Sequence, residues 1–467
     1  MNPRHMLTRN SAFPARAVVV LVALLLCPGW YTGPVSAASE LPSLGENSAF
    51  NIERETRLGR SVYKRLLASG LVETNPILDR YINDLGYRLL AGIENRAREY
   101  RFFIIRDDAV NAFALPGGFI GVNRGLIAQA ETQHQLASVM AHEIAHVELT
   151  HGLDMMQKSS QLSSAAIATF LAGLLLGTID SQVGSAVMFG GAAGTQQAIV
   201  TFTRENEYEA DRVGIQLMSD ANFDTNGTVE FFTIMNRLAG GSEIGNIEYL
   251  RTHPLGSNRI AEAIARVSNQ PGAGDQVDNY DLFRDYLVYA SSDHLPARGS
   301  EYLRALAEMK SGKHAAAAEK LAALYNDDNE NIWYGIAFGE ALEHANRLDE
   351  AYRVYRRLLD IYPDDYVLAM RLASLLSRTG RHEEALQIVR RLEIEYPDTQ
   401  QVYFALSNIY QALNRPLSKW MAEAEFHRLN GNTTQSIRLY DQVIAAADAD
   451  PTLVSKAREK RLQLLEE

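Results

Sequence analysis

Polar and apolar residues alternate at three-and-four spacing from Arg54 to Leu67 and from Leu78 to Ala91, within a helical stretch of about Leu44 to Glu99. This predicts two amphipathic helices. Tyr100 to Arg106 is aromatic and β-branched, and Asn111 to Asn123 carries Pro116-Gly117-Gly118 between two apolar runs, so a small sheet follows. Helical periodicity returns over Thr132 to His151, Thr203 to Met218 and Thr228 to Leu238. Between Ser163 and Thr201 the chain is Gly/Ala-rich and nearly uncharged; Ala165 to Gly194 reads either as a buried hairpin or as an amphiphilic flap able to touch a membrane surface or an unfolded client.

Turn formers crowd Asn269 to Asp275, which reads as a linker. Beyond it Gly312, Asn346, Gly380 and Asn414 recur every 34 residues, as do Ala317, Ala351 and Ala385, and Tyr362-Pro363 and Tyr396-Pro397. That period is the tetratricopeptide signature: helix pairs stack into a superhelix with a groove for a partner. Four or five repeats are expected, with Thr434 to Ala447 as the last helical stretch. The chain thus divides into residues 1–37, a first domain over 38–268, a linker and connecting helix over 269–290, and repeats over 291–467.

Residues 1–37 set Arg4, Arg9 and Arg16 before an apolar run from Ala17 to Leu26, with Val35-Ser36-Ala37 at the expected cut. This reads as a cleaved secretory signal, the run being short of the roughly 20 apolar residues that span a bilayer. A retained anchor is the alternative. Cys27, the only cysteine, follows Leu26 rather than a small residue, which argues against lipid attachment. Cleavage removes it and leaves no thiol chemistry. With 46% hydrophobic and 22% charged residues the chain is ordinary globular protein. Its net charge of −12 argues against nucleic acid as partner.

The chemistry lies in His142-Glu143-Ile144-Ala145-His146. Residues four apart share a helix face, so both imidazoles can converge on one metal while Glu143 points into the adjoining cleft. Hydrolytic zinc needs a third protein ligand and an open position. Glu207 and Asp211, again four apart, offer a ligand and an acceptor for the outer N–H of a ligating imidazole. Glu205 and Glu209 read as solvated or paired with Arg204 and Arg212. His151, five beyond His146, is turned off the ligand face and reads as structural or exposed; His134, His294, His314, His344, His382 and His427 read as surface residues.

Asn111-Ala-Phe-Ala-Leu-Pro-Gly-Gly118, His142-Glu143-x-x-His146, Glu207-x-x-x-Asp211 and His253-Pro254 with Arg259, in this order, resemble the motif set of the CAAX-prenyl-protease-type zinc metallopeptidases. The resemblance covers roughly Leu44 to Ser268. It implies a mainly α (α+β) fold: a gluzincin-like metalloprotease domain with a small β-sheet, followed by the α-helical repeat superhelix. It also implies one Zn2+ per chain on His142, His146 and Glu207, with Glu143 the catalytic carboxylate and Asp211 behind the ligands. Asn111, His253 and Arg259 match positions on the substrate and transition-state side, and the strand around Ala112 to Leu115 matches the edge onto which substrate adds. Membrane-embedded relatives carry transmembrane helices where this chain has only the short Ala165 to Gly194 tract, which fits a soluble periplasmic form. With a signal and repeats added, the resemblance implies a periplasmic zinc endopeptidase of outer-membrane protein quality control. Its partners would be unfolded or misassembled outer-membrane proteins and, through the repeats, the outer-membrane β-barrel assembly machinery. The rival readings are a mainly non-catalytic chaperone or adaptor and a membrane-anchored processing enzyme. His253 has two candidate roles, oxyanion donor or fourth zinc ligand that keeps the resting enzyme latent; the second is favoured.

Overall fold

The computed structural model describes residues 48–93, 98–151, 204–240, 247–268, 279–292, 295, 299–446 and 450–466. Residues 1–37 with Cys27, His294, the Ala165 to Gly194 tract and the Asn269 to Asp275 stretch, the expected signal and linker among them, lie outside the described residues. Among the described residues no helix is long and apolar enough to cross a membrane.

Helices α1 (Ser48–Ala68) and α2 (Pro76–Leu89) precede strands β1 (Arg101–Ile105), β2 (Ala112–Leu115) and β3 (Phe119–Asn123). Asn75 caps α2 through its side chain, and Pro76 sits at the first turn, where a missing N–H costs nothing. The sheet order is β1-β3-β2, with β1 parallel and β2 antiparallel to β3. The two-residue period of the strands divides their side chains between two cores. Phe103, Ile105, Leu115 and Phe119 pack with Val62 and Leu66 of α1, whereas Phe102, Ile104, Ile120 and Val122 join the main core. The β2–β3 turn needs its glycines: Gly118 has φ +91, and a Cβ there would meet the Glu99 carbonyl at 2.4 Å.

After the short α3 (Arg124–Gln129) comes the central helix α4 (Gln133–Glu148), capped by Thr132, whose Oγ1 accepts the Gln135 N–H at 3.3 Å. It lies between the sheet and α5 (Arg204–Asp220), followed by α6 (Asn226–Ala239), α7 (Tyr249–Thr252) and α8 (Ser257–Val267). Gly214 sets the approach of α5 to α4, since a Cβ would come within 3.1 Å of the His142 backbone nitrogen. Neither α8 nor a final helix after Ala447 was expected from the periodicity.

Helix α9 (Tyr280–Ser291) leads into five pairs: α10 (Glu301–Lys310) and α11 (His314–Asp327), α12 (Ile332–His344) and α13 (Leu348–Ile361), α14 (Tyr366–Arg378) and α15 (His382–Glu395), α16 (Gln400–Ala412) and α17 (Pro416–Leu429), α18 (Thr433–Ala445) and α19 (Pro451–Glu466). The 34-residue period has a backbone cause. Gly312, Asn346, Gly380 and Asn414 all take positive φ and close the first helix of a pair, a conformation glycine and asparagine tolerate best. Ala317, Ala351 and Ala385 are fully buried between helices.

The repeats do not stand apart. One apolar core of described residues runs continuously from Ile77 in α2 to Ala422 in α17, across the Asn269 to Asp275 stretch whose composition reads as a linker. Tyr81 of α2 stacks on Phe283 of α9 at 4.1 Å and meets Trp333 of α12 edge-on at 5.9 Å. Arg80 pairs with Asp365, the cap of α14, and the Tyr280 hydroxyl donates toward the carbonyls of Ile127 and Ala130.

Candidate metal centre

Four buried side chains from three places in the chain converge: His142 and His146 on α4, Glu207 on α5, and His253 just after α7. Their ligand atoms all lie within 4.8 Å of one another. His146 Nε2 is 3.0 Å from His142 Nε2 and 3.4 Å from Glu207 Oε1, and His253 Nδ1 is 3.0 Å from Glu207 Oε1 and 3.3 Å from His142 Nε2. Two imidazoles, a carboxylate and a third imidazole aimed at one point are the borderline N/O donor set that suits zinc. Glu143, one residue round the helix, is 1% exposed; its Oε1 has no hydrogen bond and lies 3.4 Å from His253 Nε2. A carboxylate buried in this way beside a cation-type donor set fits a metal and a reactive water better than a packed core.

The surroundings pin these groups. His142 Nδ1 lies 3.0 Å from Asp211 Oδ1. Arg259, from α8, grips Asp211 with Nε and NH2 at 2.7 and 2.8 Å, reaches Glu207 Oε2 at 2.6 Å and donates to the Pro254 carbonyl at 2.9 Å. His253 packs against Tyr249 at 4.7 Å, and its N–H closes α7 onto the Tyr249 carbonyl. Glu143 accepts the backbone N–H of Ala114, so the active face of α4 abuts β2. That contact lies on the outer edge of β2. The Asn111 carbonyl turns inward to accept the Asn123 N–H, so the backbone groups of Ala112 and Ala114 turn away from β3.

Charge follows this packing. Burial pushes the Glu143 carboxyl up from its ordinary value, against the pull of His253 and His142. Burial would also raise Glu207, but the charge of His253 and hydrogen bonds from three imidazoles outweigh it and hold the carboxyl far below the usual range. Burial lowers His146 well below an ordinary histidine, whereas hydrogen bonds to Asp211 and Glu207 overcome the same burial at His142 and raise it to about 9.

Of the residues singled out in the sequence, His142, Glu143, His146, Glu207, Asp211, His253 and Arg259 are therefore neighbours. Asn111, at the residue before β2, is buried with Oδ1 unpartnered and makes no described contact to the four converging groups. Spacing underrated His151, which is 4% exposed and sets Nδ1 3.0 Å from His146 Nδ1; Glu209, half-exposed and 3.9 Å from Arg212 as expected, also reaches His151 at 3.5 Å. A left-handed Thr150 (φ 57), invisible to a periodicity reading, brings His151 there.

The sequence profile of Peptidase family M48 matches residues 76–267, and a tetratricopeptide repeat profile matches 342–409. The β-barrel assembly-enhancing protease of Escherichia coli is 30% identical over 423 residues, covering 86% of this chain and 86% of that one. The protein of that name from Yersinia pestis is 33% identical over 262 residues, 53% of each chain. The mitochondrial metalloendopeptidase OMA1 of Schizosaccharomyces pombe is 27% identical over 214 residues, 45% of this chain and 60% of that one.

Proposed function

Given that the chain belongs to Peptidase family M48 together with the bacterial β-barrel assembly-enhancing proteases, we propose that this metalloprotease is a periplasmic zinc endopeptidase of outer-membrane protein assembly. It degrades misassembled β-barrel proteins. The observation that carries this reading is the convergence of His142, His146 and Glu207 with Glu143 alongside.

His142, His146 and Glu207 would hold the zinc, whose bound form supplies Lewis acidity toward water and the scissile carbonyl. Glu143, raised by burial, takes the proton of the attacking water and passes it to the leaving amine. The outer edge of β2 receives an extended peptide as an added strand through the backbone of Ala112 and the carbonyl of Ala114, whose N–H Glu143 already holds, with Asn111 on the substrate side. Arg259 is fully engaged by Asp211, Glu207 and Pro254, so its role is to position the third ligand rather than to meet the transition state. His253 belongs to the same donor set and acts as a fourth ligand that leaves the resting enzyme latent. The repeats over 291–467 recruit the client or the β-barrel assembly machinery, while 38–268 carries the chemistry. Periplasmic location rests on the N-terminal arginines, apolar run and small residues.

The test is Glu143→Gln. It should keep stoichiometric zinc and lower proteolysis of an unfolded outer-membrane β-barrel protein by about 10² to 10⁴. Wild-type cleavage by this variant would sink the catalytic assignment and favour the chaperone or adaptor reading.

A further inference from the structure

The two α4 imidazoles are backed differently. His142 Nδ1 meets an α5 carboxylate directly, at Asp211. His146 Nδ1 meets another imidazole, His151, whose Nε2 lies 3.5 Å from Glu209 Oε2 on the same α5. If α4 continued as a regular helix past His146, residue 151 would sit about 140° round from it and point elsewhere. The chain does not continue so. The N–H groups of Leu149 and Thr150 close the helix onto the carbonyls of Ala145 and Val147, and Thr150 then takes φ 57, a left-handed conformation that is a true outlier for a β-branched residue. That reversal folds His151 back under the last turn of α4, where it is 4% exposed. Local strain is thus held at the one residue that returns an imidazole to the centre.

We infer that His151, oriented by Glu209, is a positioning residue for His146: it selects the tautomer and ring plane in which Nε2 is free to bind metal. The inference rests on the reading of His146 as a ligand. His146 Nε2 faces His142 and Glu207, so metal binding there requires the ring proton on Nδ1. His151 Nδ1 is the acceptor for that proton, which leaves the His151 proton on Nε2, facing Glu209. Glu209 is 44% exposed at its side chain, so its contribution is the smaller of the two. Both α4 imidazoles are then held by acids of one helix, Asp211 in direct contact and Glu209 through an intervening ring, the outer support that ligating histidines ordinarily have.

Zinc affinity, read by chelator competition on the full chain, and the absorption spectrum of the cobalt-substituted protein test this. His151→Leu should fill the space yet lower zinc affinity by about 10- to 100-fold and shift the cobalt spectrum, with the far-ultraviolet circular dichroism unchanged. His151→Asn, which restores an acceptor near the Nδ1 position, should recover most of the affinity. Should the leucine variant fail to fold, His151→Asn against His151→Gln decides, because Gln sets its acceptor one bond farther out; equal zinc affinities would overturn the inference. Wild-type affinity in His151→Leu, or a weaker Asn than Leu variant, would mark His151 as a space filler. His146→Ala separates the two readings: stoichiometric zinc there removes the ligand assignment itself, whereas zinc loss there with wild-type affinity in His151→Leu overturns the positioning role alone.

Discussion

Helix α4 is buried along almost its whole length, whereas α13 in the repeats buries Ala351, Val354, Tyr355, Leu358 and Leu359 and turns Arg353, Arg356, Arg357 and Asp360 to solvent. The difference teaches how to read polar residues in each region. Helix α13 is amphipathic, so the charges on its outer face need only water, while the buried carboxylates elsewhere in the repeats, Glu343 and Glu425, are paired with Tyr355 and Arg378 and with Tyr440 and Arg428. On α4 there is no water side, and His142, Glu143 and His146 can be ionisable there only because other elements bring partners to them. The same contrast separates precision from tolerance. Repeat contacts recur with the period, while the centre exists only where α4, α5 and the His253 segment meet.

The contrast is sharpest if the two regions nonetheless unfold together. Trp333 of α12, 2% exposed, lies against Tyr81, Phe283 and Tyr286 at the junction. Trp333→Ala should cost about 3 to 5 kcal/mol and shift a single transition followed by both tryptophan-independent far-ultraviolet dichroism and zinc release. Two separated transitions in the wild type would break the picture of one continuous core. Removing zinc should act next: at free zinc a hundredfold above its dissociation constant the metal contributes about 2.7 kcal/mol, and chelation should lower the melting temperature of the whole described unit. A melting temperature indifferent to chelator would mean that the centre does not bind metal in the folded state.

His253→Ala probes the centre from inside. If His253 closes the site, the variant at equal zinc loading should cleave about tenfold faster, equal to about 1.4 kcal/mol. A fall of about 10² to 10³ would instead assign it to the oxyanion and end the latency reading. The smallest effect belongs to the repeats. Gly380→Ala places a side chain at φ +80 with nothing within 4 Å of the new Cβ, so the cost of about 1 kcal/mol is backbone conformation alone. Urea denaturation showing no loss would mean that the turn relaxes, and the 34-residue signature would then need another cause.

Much of this was legible along the chain because it is local. The spacing of His142 and His146 decides that both lie on one face of a helix, and Pro116-Gly117-Gly118 marks the turn between β2 and β3. Gly312, Asn346, Gly380 and Asn414 announce the repeats because each must adopt the left-handed conformation that closes a first helix. Helix α8 carries the three-and-four spacing of Ile260, Ala263, Ile264 and Val267 and buries Ala263 and Val267 against the main core, but it is short and lies beside the turn formers that begin at Asn269, so the sequence reading passes over it. The final helix, Pro451–Glu466, escapes the sequence reading for a different reason: it carries little sidedness.

The sequence by itself determined the helix faces, the hairpin and the period, since those depend on backbone geometry within a few residues. Tertiary structure alone decided the rest. It set Arg259 on Glu207 and Asp211, 52 and 48 residues away, and it returned His151 to His146 through one strained Thr150. It also joined the repeats to α2 through Tyr81, Phe283 and Trp333, where composition alone pointed to a linker. Such contacts depend on where distant segments bury their apolar faces, and no spacing along one chain encodes which buried faces will meet.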